Sequence, residues 1–150
     1  MADLRPILLV EDNPRDLELT LAALAKCQLA NEIVVARDGA EALDFLHSRG
    51  EHADRTPGDP AVVLLDLKLP KIDGLEVLEK VKRDPAQRQI PVVMLTSSRE
   101  ERDLVRSYEL GVNAFVVKPV DFNAFFEAIQ DLGMFWAILN EPPPGGRANA

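Results

Sequence analysis

The stretch Ala61-Val62-Val63-Leu64-Leu65-Asp66-Leu67-Lys68-Leu69-Pro70 decides how the rest of the chain is read. It opens with apolar residues that run without a polar interruption and stop at a carboxylate. A run of this kind, with no alternation, suits a strand covered on both faces, as in a parallel sheet. The same design recurs outward in both directions. Upstream, Pro6-Ile7-Leu8-Leu9-Val10 ends in Glu11-Asp12-Asn13-Pro14, and Ile33-Val34-Val35-Ala36 follows. Downstream, Pro91-Val92-Val93-Met94-Leu95 ends at Thr96, and Ala114-Phe115-Val116-Val117 ends at Lys118-Pro119.

Helical periodicity fills the gaps. Leu17, Leu21 and Leu24 share a face, Pro14 suits a first turn, and Glu11-Asp12 could serve the cap region at the positive end of the helix dipole. Asp38 predicts the N-cap of a helix carrying Leu43 and Leu46, with Gly50 just past its end. Asp73 with Glu76 resembles a capping box on a segment where Ile72, Leu75, Leu78 and Val81 recur. Leu104 and Tyr108 mark a further helix closed by Gly111. Asp121 can cap a last helix running through Phe122, Phe125, Phe126, Ile129 and Leu132 to Trp136. Strand and helix alternate throughout, which predicts an α/β domain: a doubly wound, five-stranded parallel sheet with helices on both faces and right-handed crossovers. Residues 50–60 are a polar loop longer than the roughly 2–6 residues usual in such units. The domain is expected over residues 1–140. Residues 141–150, with Pro142-Pro143-Pro144-Gly145-Gly146, read as a flexible tail.

Composition narrows the function. The chain has 150 residues, 47% of them apolar, with 17 Lys and Arg against 25 Asp and Glu, a formal charge of −8. An acidic balance disfavours nucleic acid and anionic membranes, which need clustered Lys and Arg. No apolar run nears the roughly 20 residues that span a bilayer, and the start shows no basic stretch leading into an apolar one. A lone Cys27 makes neither an intrachain disulfide nor a thiolate zinc site, and the expected compartment is the cytoplasm. His47 and His52 read as surface residues.

The strand ends carry the chemistry. In open α/β sheets the binding crevice lies beyond the C-terminal ends of the strands, so Glu11, Asp12, Asp66, Thr96 and Lys118 should converge. Gathered carboxylates repel one another unless a cation joins them. Mg²⁺ suits a few carboxylates plus waters and a phosphate oxygen. Lys118 offers a fixed positive charge for a phosphate oxygen, Thr96 a hydroxyl. With neither GxxxxGK[ST] nor GxGxxG present, a nucleotide cradle is not expected. The pattern points to one phosphoryl group held on Asp66 as nucleophile. Each residue alone has a plainer reading: Glu11-Asp12 as a helix start, Lys118 as a surface lysine, Thr96 and Ser97 as a cap, Phe115 as a core aromatic. A small Mg²⁺-dependent phosphatase is a competing class, but its second acid/base Asp is missing from Asp66-Leu67-Lys68. A flavin carrier is another, but Glu11-Asp12 would repel the flavin phosphate.

These residues resemble the receiver domain of bacterial two-component response regulators, over roughly residues 5–135. Glu11-Asp12 matches the acidic pair, Asp66 the phosphoacceptor, Pro70 and Gly74 the loop after it, Thr96 the switch hydroxyl, Phe115 the switch aromatic and Lys118-Pro119 the Lys-Pro pair. The resemblance implies a flavodoxin-like strand order 2-1-3-4-5. It implies Mg²⁺ ligation by Asp12, Asp66 and the backbone carbonyl of Lys68, with Glu11 acting through a metal-bound water. It further implies phosphoryl contacts from Thr96 and Lys118, switching by Thr96 and Phe115, a cis peptide at Pro119, and Lys68 and Ser98 at the positions that tune hydrolysis. The activity implied is a phosphoacceptor switch that assists its own phosphorylation and dephosphorylation, with a histidine kinase as donor. Glu-Asp-Asn-Pro at 11–14, the long 50–60 loop and Phe135-Trp136 resemble the single-domain regulators paired with phytochrome-type kinases. With no room expected for an output domain after residue 140, output would be protein–protein contact or phosphate relay. Met134, Phe135, Ile138 and Leu139 widen the apolar face of the last helix, and this predicts a homodimer through the C-terminal region.

Overall fold

In the computed structural model the described residues are 5–26, 31–55, 58–97, 109–112 and 114–131, without the side chains of residues 129 and 131. Strands β1 (Ile7–Val10), β2 (Ile33–Ala36), β3 (Val62–Asp66), β4 (Val92–Thr96) and β5 (Ala114–Val117) form one sheet. Their order is β2-β1-β3-β4-β5 and every pairing is parallel. The order reverses between β1 and β3, so the crevice of such a sheet opens there. Leu9 pairs with Val35 on one side and Leu64 on the other, Asp66 with Leu95, and Thr96 with Val117. That register brings the polar strand ends to one edge.

Both faces of the sheet are covered, which is why the strand sequences lack alternation. Helices α2 (Gly39–Leu46) and α3 (Gly74–Arg83) lie on one face. Their Leu43, Phe45, Val77 and Leu78 share a core with Leu8, Val10, Val63, Leu65 and Met94. Helices α1 (Pro14–Lys26) and α4 (Phe122–Asp131) lie on the other, where Leu17, Leu24 and Phe125 pack on Ile7, Leu9, Leu64 and Leu95. Odd and even strand residues thus serve different cores.

The helix boundaries follow cap chemistry. Asp38 and Asp73 are the N-caps expected, accepting the N–H groups of Glu41 at 2.7 Å and Glu76 at 3.0 Å, and Asp121 accepts that of Ala124 at 2.8 Å. Three details depart from expectation. The cap of α1 is Asn13, whose Oδ1 accepts from the N–H groups of Arg15 and Asp16 at 2.9 and 3.0 Å; Glu11 and Asp12 are left for other work. Helix α2 stops at Leu46, four residues before Gly50, with Ser48 in the left-handed region and Gly50 opening a short 3-10 turn, Gly50–His52. Phe122, expected on the buried stripe, is exposed and stacks on Phe126 with ring centroids 5.6 Å apart.

The loop after α2 is built. The Arg55 guanidinium lies 3.9 Å above the Phe45 ring and donates to the carbonyls of Phe45 at 2.7 Å and Gly58 at 2.9 Å. His52, expected at the surface, is half-buried: it meets Phe45 edge-on and lies 3.2 Å from Glu41. The expected helix with Leu104 and Tyr108, Cys27, Ser98, the last helix beyond Asp131 and the 141–150 tail lie outside the described residues.

Candidate functional site

Four of the five strand ends deliver polar side chains to this edge, because each of those strands stops where its apolar run stops. Glu11 follows β1 and is fully buried; Asp66 ends β3 and Thr96 ends β4, both buried; Lys118 follows β5. Asp12 is exposed beside them. Among the described residues, carboxylate oxygens of Glu11, Asp12 and Asp66 lie within 4.8 Å of one another. Lys118 closes the group. Its Nζ is 3.1 Å from Glu11 Oε1, 3.3 Å from Asp66 Oδ1 and 2.9 Å from Asp16 Oδ2. A cleft of about 210 Å³ opens over them, walled by Asn13, Ser97 and Lys68 among others. A larger depression, about 580 Å³, follows the outer surface of α3 past Asp73, Glu76 and Arg83 and holds none of these groups.

The backbone fixes this geometry. The Lys118 N–H donates to the Thr96 carbonyl at 2.7 Å, which ties the end of β5 to that of β4. The Asn13 N–H donates to Glu11 Oε2 at 3.2 Å. The β3–α3 loop is pressed against its neighbours at two glycines. A Cβ at Gly74 would collide with the carbonyl oxygen of Asp66, and one at Gly39 with that of Ile72. Only a residue without a side chain lets α3 start this close to Asp66. Lys71, in the left-handed region, adds an ion pair to Asp38 at 3.4 Å.

The electrostatics are unbalanced. Burial and the neighbouring Glu11 push the Asp66 carboxyl up to about 7, and Lys118 offsets only part of that rise. For Lys118, burial works against the ammonium, but Asp16, Asp66 and Glu11 together hold its pKa above the usual lysine value. Four carboxylates and one ammonium leave a formal charge of −4 + 1 = −3 around the cleft. Hard oxygen donors this close fit a small divalent cation with waters completing its shell. The structure therefore brings Glu11, Asp12, Asp66 and Lys118 together as expected. Thr96 is buried at the strand edge while its neighbour Ser97 walls the cleft, and Phe115 is half-buried against the α2–α3 core. The Lys118–Pro119 peptide is cis. The residue missed from sequence is Asp16. Its first-turn position looks like an ordinary helix-dipole acid, and only the fold sets it beside Lys118.

A doubly wound α/β domain with an acidic, lysine-closed cleft at its switch point is the architecture of a metal-assisted phosphoryl-handling protein. The comparisons make that class specific. Residues 7–130 match the model of the response regulator receiver domain, and the chain belongs to that family. It is 42% identical over 130 residues to the response regulator Rcp1 of Synechocystis sp., covering 87% of each chain. Against solved structures it is similar to the bacteriophytochrome response regulator AtBRR, with 78% identity and a TM-score of 0.86 over 93% of this chain and 100% of that one. The Mn²⁺-bound form of Rcp1 matches at 40% identity and TM-score 0.72, over 93% and 99% of the two chains. The phosphorylated cyanobacterial phytochrome response regulator RcpA matches at 41% and 0.73, over 89% and 94%. The chain is thus a receiver-domain signalling switch, homologous to phytochrome response regulators, with an acidic pocket consistent with phosphoacceptance and metal binding. Among the described residues no helix is long and apolar enough to cross a membrane.

Proposed function

We propose that Asp66 accepts a phosphoryl group from the phosphohistidine of a sensor kinase, of the phytochrome class in view of the relatives. The carrying observation is the convergence of Glu11, Asp12 and Asp66 within 4.8 Å, with Lys118 at 3.3 Å from Asp66. An Asp66 oxygen attacks phosphorus, the P–N bond breaks and the imidazole leaves. Asp12, Asp66 and the carbonyl of Lys68 would ligate Mg²⁺, with Glu11 reaching it through water. A bound Mg²⁺ supplies charge neutralisation and alignment of the transferring group. Lys118 and Thr96 hold phosphoryl oxygens, so the domain assists its own phosphorylation and dephosphorylation. The new contacts shift the population between two packings of Thr96 and Phe115, and partner affinity changes with it.

The same proposal keeps the receiver domain over 1–140, a tail over 141–150, a cytoplasmic setting and a homodimer through the C-terminal helix region that carries Met134, Phe135, Ile138 and Leu139. Composition supports these parts. Sedimentation of a chain truncated before Met134 tests the dimer: an unchanged dimer refutes it.

Intact-mass measurement after incubation with acetyl phosphate and Mg²⁺ tests the central reading. We expect a single phosphoryl adduct, absent in Asp66→Asn and absent after chelation. An adduct that survives Asp66→Asn, or catalytic turnover of many equivalents, would defeat it.

A further inference from the structure

Lys118 has three N–H donors, and three carboxylates meet them: Glu11, Asp16 and Asp66. Two of these contacts, to Glu11 and Asp16, are hydrogen bonds, so a phosphoryl oxygen that is to bind this ammonium arrives among carboxylates that already hold it. The three partners differ in how readily they can yield it. Glu11 has a side chain of 0% exposure and its other oxygen accepts the Asn13 N–H; moving it would bury an unpaired charge. Asp66 carries the phosphoryl group itself. Asp16 is 33% exposed on the first turn of α1, so its carboxylate can turn into water.

Its backbone stays in place meanwhile, because the Asp16 N–H is held by Asn13 Oδ1 at 3.0 Å. The third helical residue commonly reaches back to the N–H of its cap. Here Glu11 occupies that N–H, and the Asp16 side chain points to Lys118 instead, at the shortest of the three distances, 2.9 Å. A phosphoryl group on Asp66 extends from the buried floor towards the open rim where Asp16 stands, and like charges there repel.

We infer that Asp16 is a positioning residue of the cleft, holding Lys118 at the rim and yielding it to an incoming phosphoryl oxygen. The inference rests on the phosphoacceptor reading above. In the resting protein Asp16 holds Lys118, and an arriving phosphoryl group competes with it for that ammonium. Removing the Asp16 charge takes away the competitor.

The test is the affinity for beryllium trifluoride in the presence of Mg²⁺, measured by calorimetry on the full chain. Asp16→Asn should raise it about fivefold, the scale of a half-exposed ion pair. Its Mg²⁺ affinity, measured alone, should change far less, because Asp16 lies outside the Glu11–Asp12–Asp66 group; this titration also reports that the variant is folded. Asp16→Ser serves as a second variant with the same readout. Glu18→Gln removes the same charge from an exposed position of the same helix, and should leave both affinities unchanged. Equal gains in Glu18→Gln and Asp16→Asn would reduce the effect to through-space charge and overturn the inference. Unchanged or weaker beryllium trifluoride binding in Asp16→Asn would also overturn it. Failure of the wild-type chain to bind the mimic with Mg²⁺ would instead remove the phosphoacceptor reading and the role of Asp16 with it.

Discussion

Two regions of this molecule gather charged side chains, and they end in opposite states. In the loop after α2, Asp44 meets Arg49 at 2.9 Å, Glu41 lies 3.2 Å from His52, and Arg55 spends its donors on two carbonyls above the Phe45 ring. Those groups complete one another and hold a loop. At the sheet edge, Glu11, Asp12, Asp16 and Asp66 face a single ammonium, and Asp66 is driven to about 7. The difference teaches where to look for function. A cluster that closes on itself is scaffold. A buried cluster with surplus charge carries a standing penalty that only an arriving partner relieves.

The sharpest way to break this contrast is through the glycines of the two regions. Gly74→Ala forces a Cβ onto the Asp66 carbonyl and should destabilise the fold by about 3 kcal/mol in urea unfolding. Gly58→Ala, in the loop, meets nothing within 4 Å. It should cost only the strain of its positive-φ backbone (φ 137°), about 1–2 kcal/mol. Similar losses at both sites would mean that the cleft wall is no more constrained than the loop.

Surplus charge predicts an unusual pH response. The folded Asp66 carboxyl sits at about 7, raised from 3.8. The folded state therefore holds a proton that the unfolded chain has given up between about pH 4 and pH 7. The resulting stabilisation is full below about pH 4 and is lost as pH rises through 7. Without metal, Asp66→Asn should be more stable than wild type at pH 8 by a few kcal/mol, with the gap closing at low pH. Saturating Mg²⁺ favours the ionised carboxylate, so it should stabilise the wild type more at pH 8 than at pH 5.5 and barely affect Asp66→Asn. Denaturant midpoints at both pH values, with and without chelator, check this. A gap that stays constant with pH would show that the Asp66 charge is not the strained one.

The smallest effect belongs to the closed cluster. Arg55→Met removes the ring contact and the hydrogen bonds to the Phe45 and Gly58 carbonyls and should lower stability by about 1 kcal/mol. Mg²⁺ affinity should not move. A fall in metal affinity would show that the loop and the cleft are coupled rather than separate.

Much of this was readable beforehand, because the signals are local. An apolar run such as Val62–Leu65 marks a strand buried on both faces whatever surrounds it, and the residue after it marks an edge. Asp38, Asp73 and Asp121 act as caps through neighbours three residues away. What escaped depended on distance in sequence. Glu11 and Asp12 read as site carboxylates with a cap role as the plainer alternative, and only the structure shows that Asn13 caps α1 while Glu11 turns to Lys118. His52 looked like a surface residue until the loop folded it against Phe45. The end of α2 at Leu46 was missed because Gly50 was the nearer textual stop, whereas Ser48 takes the left-handed backbone.

From the residues alone came the strand and helix succession, the two-sided burial of the sheet and the set of groups at its C-terminal edge. These follow from periodicity and end residues within short windows. The partners of Lys118, the lift of the Asp66 carboxyl and the place of Asp16 beside Lys118 emerge only in three dimensions. Each is a sum of charge and burial over segments about 100 residues apart, and the order β2-β1-β3-β4-β5 alone decides which of them meet.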